Sequence, residues 1–466
     1  MGKRYDTYSK VNTNWVQELP TDWGFLPLQS QLKERKESNA NKKTDFILSL
    51  TAAKGVIPYS EKKSGGNKAK EDIGKYNISH EGDLLVNCMN VVAGSSGLSN
   101  YYGAISPVYY ALYPSYEEIN RKYYEYLFRN RFFYESLIGL GNGIMMKKSS
   151  TGKLNTVRKR IPMNKLKRVM IPVPPKPEQD QIVRYLDWKT SEIDRFVHQK
   201  KKQIKKLEEY KFTKIDELIT KGMNSHVQMK ESGVEWLGQI PEHWDVHTIK
   251  QHFKVRKRIA GKEGYDVLSI TQQGLKVKDI SSNEGQMAMD YSGYQFVNPG
   301  DFAMNHMDLI TGYVDLSDKF GVTSPDYRVF TLEDTDNCYP EFYLRVFQVA
   351  YKRRIFYKFG KGAANQGRWR LPQRAFYNYS IQIPPIEEQK AIEYECKQLE
   401  KNIDEMIEAL KKEMDLLQEL RTKIIADVVT GQIDVRDVVV PDYSCDEDTD
   451  SDDIEDDEEE IEESED

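Results

Sequence analysis

Hydrophobic residues recur at a helical spacing along two long segments, roughly residues 176–221 and 386–430. Neither segment contains proline or glycine after its opening residues, and both are dense in lysine, glutamate, leucine and isoleucine. The pattern predicts one long helix in each segment. A helix of about 45 residues would be about 65 Å long at 1.5 Å per residue.

On a 3.5-residue repeat, apolar residues form one stripe along each predicted helix. The first stripe comprises Leu186, Ile193, Phe196, Leu207 and Tyr210. The second comprises Cys396, Leu399, Ile403, Met406, Leu410, Leu417, Leu420 and Ile424. A whole domain separates the two segments, so the helices can pair in an antiparallel coiled coil that buries both stripes. The alternative is that each helix packs only on its own domain.

The chain before each predicted helix alternates short apolar segments with turns rich in glycine, proline, asparagine and serine, as between Val255 and Ile270. Each such region also holds one aromatic-rich helical run, Tyr123 to Leu137 or Glu341 to Phe356. Residues 12–170 and 232–380 are therefore predicted to form compact α/β or α+β domains with much strand.

Four motifs occur twice along the chain, which indicates a duplication of about 210 residues. The segment IPVPPKPEQ ends at Gln179, and IQIPPIEEQ ends at Gln389. A segment bounded by two tryptophans ends at Trp23 and again at Trp244. The other aligned pairs are Glu81 to Asn87 with Pro299 to Asn305, and Gly103 to Tyr109 with Gly321 to Tyr327. Because paired prolines hold the chain extended and glutamate suits a first helical turn, each P-P-x-x-E-Q motif predicts a helix start.

Charge divides the 466-residue chain into a basic body and an acidic end. Asp446 to Asp466 holds 16 acidic residues and no basic one; since the whole chain carries −6, the remainder carries +10. We expect residues 441–466 to form a disordered acidic tail, either solubilising or competing with nucleic acid for basic faces. Four widely spaced cysteines and the lack of a long apolar run predict reduced thiols, no membrane span and a cytoplasmic protein.

Basic residues cluster at the same point of both repeats, in Lys147 to Arg160 and in Tyr351 to Arg370, with no acidic residue in either stretch. Arginine, lysine, asparagine and glutamine in glycine-containing turns suit phosphates and base edges of DNA. The candidate DNA-binding residues are Lys147, Lys148, Lys153, Arg158, Lys159, Arg160, Lys358, Lys361, Asn365, Gln366, Arg368 and Arg370. A cluster without a clear counterpart, Lys254 to Lys262, has less weight, and a solvated charged face is the alternative for all of them.

The doubled P-P-x-x-E-Q motif, the two tryptophan-bounded segments, the G-D pairs and the T-K-G or T-G helix ends resemble the specificity subunit of Type I restriction-modification systems. The resemblance extends over about residues 12–434. It implies two target recognition domains (12–170 and 232–380), each reading half of a bipartite DNA site, joined by two spacer helices (171–222 and 381–434) that form an antiparallel coiled coil. It also implies two methyltransferase subunits that methylate adenine with S-adenosylmethionine, and restriction subunits that use ATP and Mg²⁺. The acidic tail departs from the family pattern.

No catalytic motif is evident in the chain itself. Neither Pro-Pro pair is followed by the aromatic residue of an adenine methyltransferase box, and no G-x-x-x-x-G-K-[ST] loop is present. The seven histidines show no metal-ligand spacing, and His243, His247 and His252 are interpreted as a loose surface group. We therefore expect a DNA-reading subunit without cofactors of its own. A nuclease or methyltransferase with undetected motifs and a protein-binding coiled-coil adaptor remain alternatives.

Overall fold

The computed structural model describes residues 3–51, 54–62, 72–89, 95–143, 159–279, 290–362 and 369–442. The chain forms two compact units. Unit 1 comprises Met1–Lys201 together with Lys411–Asp466, and unit 2 comprises Lys202–Leu410. Each unit therefore contains one of the two predicted domains and parts of both long helices.

Unit 1 is built around an antiparallel four-stranded sheet, and its remaining strands form two-stranded pairs. Its strands are β1 (Tyr8–Lys10), β2 (Glu18–Pro20), β3 (Gly24–Pro27), β4 (Leu32–Glu34), β5 (Leu48–Thr51), β6 (Gly55–Pro58), β7 (Asn77–Ser79), β8 (Leu84–Asn87), β9 (Ser96–Leu98), β10 (Gly103–Ile105), β11 (Tyr109–Pro114), β12 (Asn142–Gly143), β13 (Lys159–Arg160) and β14 (Met170–Val173). The sheet order is β4-β11-β8-β9, and the pairs are β1-β2, β10-β7, β12-β13, β14-β3 and β5-β6.

Unit 2 repeats this plan. Its strands are β15 (Met229–Glu231), β16 (Gln239–Pro241), β17 (Asp245–Thr248), β18 (Phe253–Arg256), β19 (Leu268–Thr271), β20 (Gly274–Val277), β21 (Gln295–Val297), β22 (Phe302–Met304), β23 (Val314–Leu316), β24 (Gly321–Thr323), β25 (Arg328–Leu332) and β26 (Ser380–Ile383). The sheet order is β18-β25-β22-β23, with the pairs β15-β16, β17-β26, β19-β20 and β21-β24. The matching strand orders confirm a mixed α+β fold in both halves.

Eight α-helices lie in the described residues: α1 (Arg121–Arg129), α2 (Arg131–Leu137), α3 (Met163–Leu166), α4 (Lys176–Lys221), α5 (Ile249–His252), α6 (Pro340–Lys352), α7 (Gln373–Tyr377) and α8 (Ile386–Val429). The two predicted long helices are confirmed, and α8 ends one residue earlier than predicted. The predicted run from Tyr123 to Leu137 is two helices, because Asn130 leaves the helical conformation and its side chain caps α2 at Phe132. Among these helices, none has the length and apolar composition to cross a membrane.

Each unit has one large core, which the start of one long helix and the end of the other complete. In unit 1, Ile182 and Leu186 of α4 and Val428 and Val429 of α8 join the aromatic residues of α1 and α2. In unit 2, the corresponding residues are Ile392 and Cys396 of α8 and Ile215 and Ile219 of α4. Unit 1 is thus closed by the end of α8, which lies far away in the sequence, whereas the helix ends that close unit 2 directly precede and follow its other elements.

Candidate nucleic-acid interface

The last residue of each P-P-x-x-E-Q motif fixes the start of a long helix to the domain that precedes it. The buried Gln179 amide donates to the carbonyl of the first proline of its motif (2.9 Å), and its oxygen accepts from the Asn120 backbone N–H (3.1 Å). Gln389 makes the same two contacts, with Pro384 (2.7 Å) and the Tyr339 N–H (2.8 Å). The motif therefore orients α4 relative to α1, and α8 relative to α6.

The tryptophan that ends each tryptophan-bounded segment packs against the glycine that follows a long helix. Gly431, at φ 67°, approaches Trp23 so closely that a β-carbon there would lie 3.2 Å from the ring. Gly222, at φ 75°, has the same relation to Trp244, also at 3.2 Å. The T-K-G and T-G helix ends thus use glycine both for the left-handed conformation and for the close approach of the ring.

Each G-D pair lies directly before an inner strand of a four-stranded sheet, β8 or β22, and its aspartate is buried. Asp83 accepts hydrogen bonds from Arg35 Nε (2.6 Å) and from the His80 backbone N–H (2.9 Å). Asp301 accepts from the Arg258 guanidinium and from the backbone N–H of residue 298 (2.7 Å). These aspartates stabilise the turn and are not free to act as catalytic carboxylates.

Ion pairs between the long helices show that α4 and α8 run in opposite directions in unit 1. Asp194 pairs with Arg421 (2.8 Å), and Lys200, further along α4, pairs with Glu413, which comes earlier in α8. In unit 2, Lys211 pairs with Asp404 (2.6 Å).

Most of the predicted stripe residues are buried or half-buried. Leu186, Ile193 and Ile403 are buried, and Leu207, Leu399, Leu410, Leu417 and Ile424 are half-buried. Phe196, Tyr210, Met406 and Leu420 are 45–55% exposed, so their assignment to the stripes was wrong. The stripe passes instead through the next residue in each case, Val197, Lys211, Ile407 and Arg421. Positions that face the partner helix alternate between spacings of three and four residues. In these four cases an apolar residue beside the inward-facing position fits the opposite alternation, so the sequence pattern selects the wrong one of the two neighbours.

The predicted DNA-binding residues fall into two groups. Lys147, Lys148, Lys153, Arg158, Asn365, Gln366 and Arg368 lie outside the described residues, as do Cys445 and the acidic stretch from Asp446 to Asp466. Lys159 lies in β13. Arg160, Lys358, Lys361 and Arg370 are exposed, and Lys358 pairs with Glu235 (2.7 Å). Lys361 and Arg370 pair through their backbones (2.8 and 3.0 Å), which places both beside a cleft in unit 2.

That cleft, termed the unit 2 cleft, has a volume of about 440 Å³. Its charged lining residues are Arg256, Lys257, Arg328, Lys361 and Arg370, together with His306, and no acidic side chain is among its described lining residues. A concave surface lined by positive charges attracts polyanions and concentrates them at the protein surface. The basic cluster from Lys254 to Lys262 contributes two of the five cations, Arg256 and Lys257.

Arg328 lies at the base of the unit 2 cleft and is 4% exposed. Its Nη2 donates to the Leu371 carbonyl (2.8 Å), and its guanidinium carbon lies 4.7 Å from the centre of the Phe376 ring. Its buried Nη1 has no hydrogen-bond partner. Burial lowers the pKa of Arg328 to about 10, so the side chain remains charged at neutral pH.

His306 lines the same cleft, and its buried Nδ1 also lacks a partner. Burial, with the positive charges of Arg328 and Arg370, lowers the pKa of His306 to about 3. The imidazole is therefore neutral at physiological pH and offers one donor and one acceptor.

Unit 1 has different residues at the equivalent positions. Tyr110 pairs with Val86 in the sheet as Arg328 pairs with Met304, and its hydroxyl donates to the Ile161 carbonyl (2.9 Å). Cys88 takes the place of His306: the Ile161 N–H donates to its carbonyl (3.0 Å), as the Leu371 N–H donates to that of His306 (2.9 Å).

Arg160 of unit 1 corresponds to Arg370 of unit 2. Attraction to the ionised form of Cys88 raises the pKa of Arg160, as does a hydrogen bond with Tyr110. Burial raises the pKa of Cys88 itself, so this thiol stays protonated and the pair that it forms with Tyr110 is neutral.

The description Type I restriction modification DNA specificity domain fits this chain twice, over residues 30–206 and 241–416. The two matches together include more than half of the chain. The chain belongs to this family.

Two curated relatives come from Methanocaldococcus jannaschii. The type I restriction enzyme MjaVIII specificity subunit is 26% identical over 288 residues, and the provisionally named MjaX specificity subunit is 28% identical over 292 residues. The alignments include 58% and 59% of this chain, respectively, and 63% and 62% of the relatives. The chain thus spans less than two thirds of the length of the curated relatives that it matches.

A solved structure described as the basis of complex assembly and conformational transition of the type I R-M system contains a chain of similar fold. The match has a TM-score of 0.59 at 12% sequence identity, and it includes 89% of this chain and 99% of that one. At this identity the match supports the fold of the two specificity domains.

The second specificity domain also contains a cluster with metal-ligand chemistry. His252 Nδ1 lies 2.8 Å from Asp334 Oδ2, and the ligand atoms of His252, Asp334 and Cys338 lie within 4.8 Å of one another. His252 Nε2 is hydrogen-bonded to His247 (2.8 Å), and burial raises the pKa of Cys338 to about 12. The donor atoms are of the types that bind zinc. Both ring nitrogens of His252 are already hydrogen-bonded, however, and the Cys338 thiol keeps its proton at neutral pH. The prediction of a surface position was wrong for His252, which is buried.

The sequence gives little sign of Arg328 and His306, because neither belongs to a run of basic residues. Arg328 begins β25, and His306 follows β22. The signal that could have found them is the repeat itself, because the aligned segments ending at Tyr109 and Tyr327 are followed by Tyr110 and Arg328. A change from a neutral to a charged residue inside a repeated strand marks a position where the two domains differ in chemistry.

Proposed function

We propose that this chain is the non-catalytic specificity subunit of a type I restriction-modification complex, which reads a bipartite DNA site with one recognition domain per half-site. The observation that carries the proposal is the match of the specificity-domain family to both repeats. The unit 2 cleft supports it, because a concave surface lined by cations without described acidic side chains suits the DNA backbone and base edges.

Mapping methylated adenines tests this function. The chain is expressed with its cognate methyltransferase subunit in cells that lack other adenine methylation. We expect one bipartite motif with two defined half-sites and a fixed gap. Methylation without a motif would contradict the proposal. Cutting or methylation of DNA by the purified chain alone would favour a catalytic enzyme, and a complex that does not bind DNA would favour a protein-binding adaptor.

We propose that α4 and α8 form an antiparallel coiled coil that sets the gap between half-sites. The opposite direction of the helices in unit 1 and the buried stripe residues Ile193 and Ile403 support this role. Because Lys211 pairs with Asp404, counting four residues along each helix in opposite directions brings Leu207 to the level of Glu408, the residue next to Ile407.

The gap is tested by inserting one heptad into both helices, after Leu207 and after Ile407. Seven residues lengthen a helix by about 10 Å, which corresponds to about three base pairs of DNA. We expect a longer gap between unchanged half-sites in the methylation map. A heptad inserted in α4 alone is the control and should abolish activity, whereas an unchanged gap in an active double insertion would disprove the spacing role.

We propose further that two methyltransferase subunits, which bind S-adenosylmethionine and methylate adenine N6, dock on this chain, together with restriction subunits that use ATP and Mg²⁺. The repeat supplies two similar surfaces where Trp23 and Trp244 pack on the ends of the long helices. In unit 1 this region includes a groove of about 860 Å³ lined by Trp15, Phe132 and Thr430. Native mass measurement of the reconstituted complex should give two methyltransferase subunits per chain; a single one would contradict duplicated docking.

A further inference from the structure

The unit 2 cleft and its counterpart in unit 1 share a backbone but differ in the side chains at their base. Arg328 and Tyr110 occupy the same sheet position, and both donate to the carbonyl of the residue after the equivalent arginine, Leu371 or Ile161. The Arg328 side chain thus makes the structural contact of Tyr110 and keeps further donors. Only Arg328 carries a positive charge and a donor nitrogen that has no hydrogen-bond partner within the fold.

The unpaired nitrogen of Arg328 is costly in the free protein. Buried polar groups are nearly always hydrogen-bonded, and a buried guanidinium nitrogen without an acceptor loses its hydration without compensation. Stacking on Phe376 and the bond to Leu371 hold the guanidinium in one orientation, in which Nη1 remains buried without a partner, and the Arg328 side chain lines the cleft. Such an arrangement is stabilised when a ligand brings an acceptor, and guanidinium groups bind guanine edges and phosphates through paired donors.

We propose that Arg328 and His306 form an acceptor-binding pocket that contacts DNA in the second recognition domain, and that Tyr110 and Cys88 give the first domain a different preference at the same place. The proposal rests on the proposed function. The shared chemistry of the ligand is an electron-rich acceptor of DNA, which is either the O6/N7 edge of guanine or a phosphate oxygen.

The test transplants the unit 1 pair into unit 2 as the double variant Arg328→Tyr with His306→Cys, in the assembled complex with its methyltransferase. Tyrosine at this position can donate to the Leu371 carbonyl as Tyr110 does to Ile161, so the fold is expected to persist. Arg328→Gln is the second variant, because its amide can also donate to that carbonyl. Arg374→Ala removes an exposed cation of the same domain that does not line the cleft, and serves as the matched control.

Binding to the mapped site should weaken about 10- to 100-fold in both variants and change little in the control. If the acceptor is a base, the methylation map should relax within the second half-site and keep the first. If the acceptor is a phosphate, the motif should stay unchanged, while binding weakens on all sequences and its salt dependence becomes shallower by about one phosphate.

Unaltered affinity and an unaltered motif in a folded variant would overturn the pocket. Relaxation of the first half-site would overturn it as well, because Arg328 belongs to the second domain. A wild-type complex that gives no bipartite motif would instead contradict the proposed function, so the two failures are distinguishable.

Discussion

Two regions of this molecule respond to duplication in opposite ways. The motif frame, which comprises Gln179 and Gln389 with the tryptophan–glycine contacts at the helix ends, repeats its hydrogen bonds nearly residue for residue. The cleft base keeps the backbone pairing but exchanges a neutral tyrosine–cysteine pair for arginine and histidine. The buried polar groups of the frame bind one another within the fold, which constrains their identity, whereas the buried Arg328 Nη1 and His306 Nδ1 at the cleft base have no partner within the fold.

The strongest test of the frame is replacement of each motif glutamine by alanine. Gln389 bonds three backbone groups, since its amide also donates to the Asn337 carbonyl (2.7 Å), whereas Gln179 bonds two. Leaving these groups buried and unpaired should cost about 3 kcal/mol for Gln389→Ala and about 2 kcal/mol for Gln179→Ala. Hydrogen exchange resolved by peptide would measure each unit separately. Equal protection in wild type and variants would show that the frame does not depend on these side chains.

The tryptophans sharpen the comparison because their indole nitrogens differ. Trp244 Nε1 donates to Glu388 (3.0 Å), whereas the buried Trp23 Nε1 has no hydrogen-bond partner. Trp244→Phe should therefore destabilise unit 2 by about 1.5 kcal/mol more than Trp23→Phe destabilises unit 1, since only the former breaks a bond to a carboxylate. Urea unfolding followed by peptide-resolved exchange measures both. Equal destabilisation of the two units would contradict the predicted asymmetry and would favour equivalent frames.

Lowering the pH tests whether His306 is buried and neutral in the unit 2 cleft. The pKa of His306 is lowered in the folded protein to about 3, so the unfolded chain, with its ordinary pKa near 6.5, binds the proton first as the pH falls. Stability of unit 2 should consequently decline below pH 6.5, by about 2 kcal/mol at pH 5, and continue to decline toward pH 3. His306→Gln should remove this part of the decline. Nuclear magnetic resonance of the His306 ring should show no titration above pH 4; a midpoint near 6.5 would contradict the buried neutral state.

The smallest effect concerns the ion pairs between the long helices. Lys211 and Asp404 are exposed enough for water and salt to screen their attraction. A double-mutant cycle with both residues changed to alanine should give a coupling of about 0.2–1 kcal/mol, decreasing at high salt. A coupling above 2 kcal/mol that resists salt would mean that the helices are held by charge rather than by the buried stripe.

Local signals in the sequence were sufficient for the helices, the repeat and the helix starts, because proline pairs and a helical period act over a few residues. They were not sufficient for the register of the stripe. Met406 and Ile407 are adjacent and both apolar, so only the packed partner decides which of them turns inward.

The contacts of the candidate site were beyond the sequence for a similar reason. Gln179 could be recognised as part of a helix start, but its bond to Asn120 joins residues 59 positions apart. Arg328 is an ordinary strand residue until the sheet register places it opposite Met304 and beside His306. Comparison of the two repeats at the level of single positions recovers part of this information, because the equivalent residue in unit 1 is neutral.

Unit 1 takes its last core residues from the end of α8, and this sets an order of events during synthesis. Trp23 leaves the ribosome about 400 residues before Val428 and Gly431, which pack in the same core region. At roughly 5–20 residues per second, its partners arrive roughly 20–80 s later. Unit 2 is one continuous segment, Lys202–Leu410, and has all its residues earlier. The half of the protein that is made first is therefore the half that finishes folding last, and its open apolar surface in that interval is a natural target for chaperones.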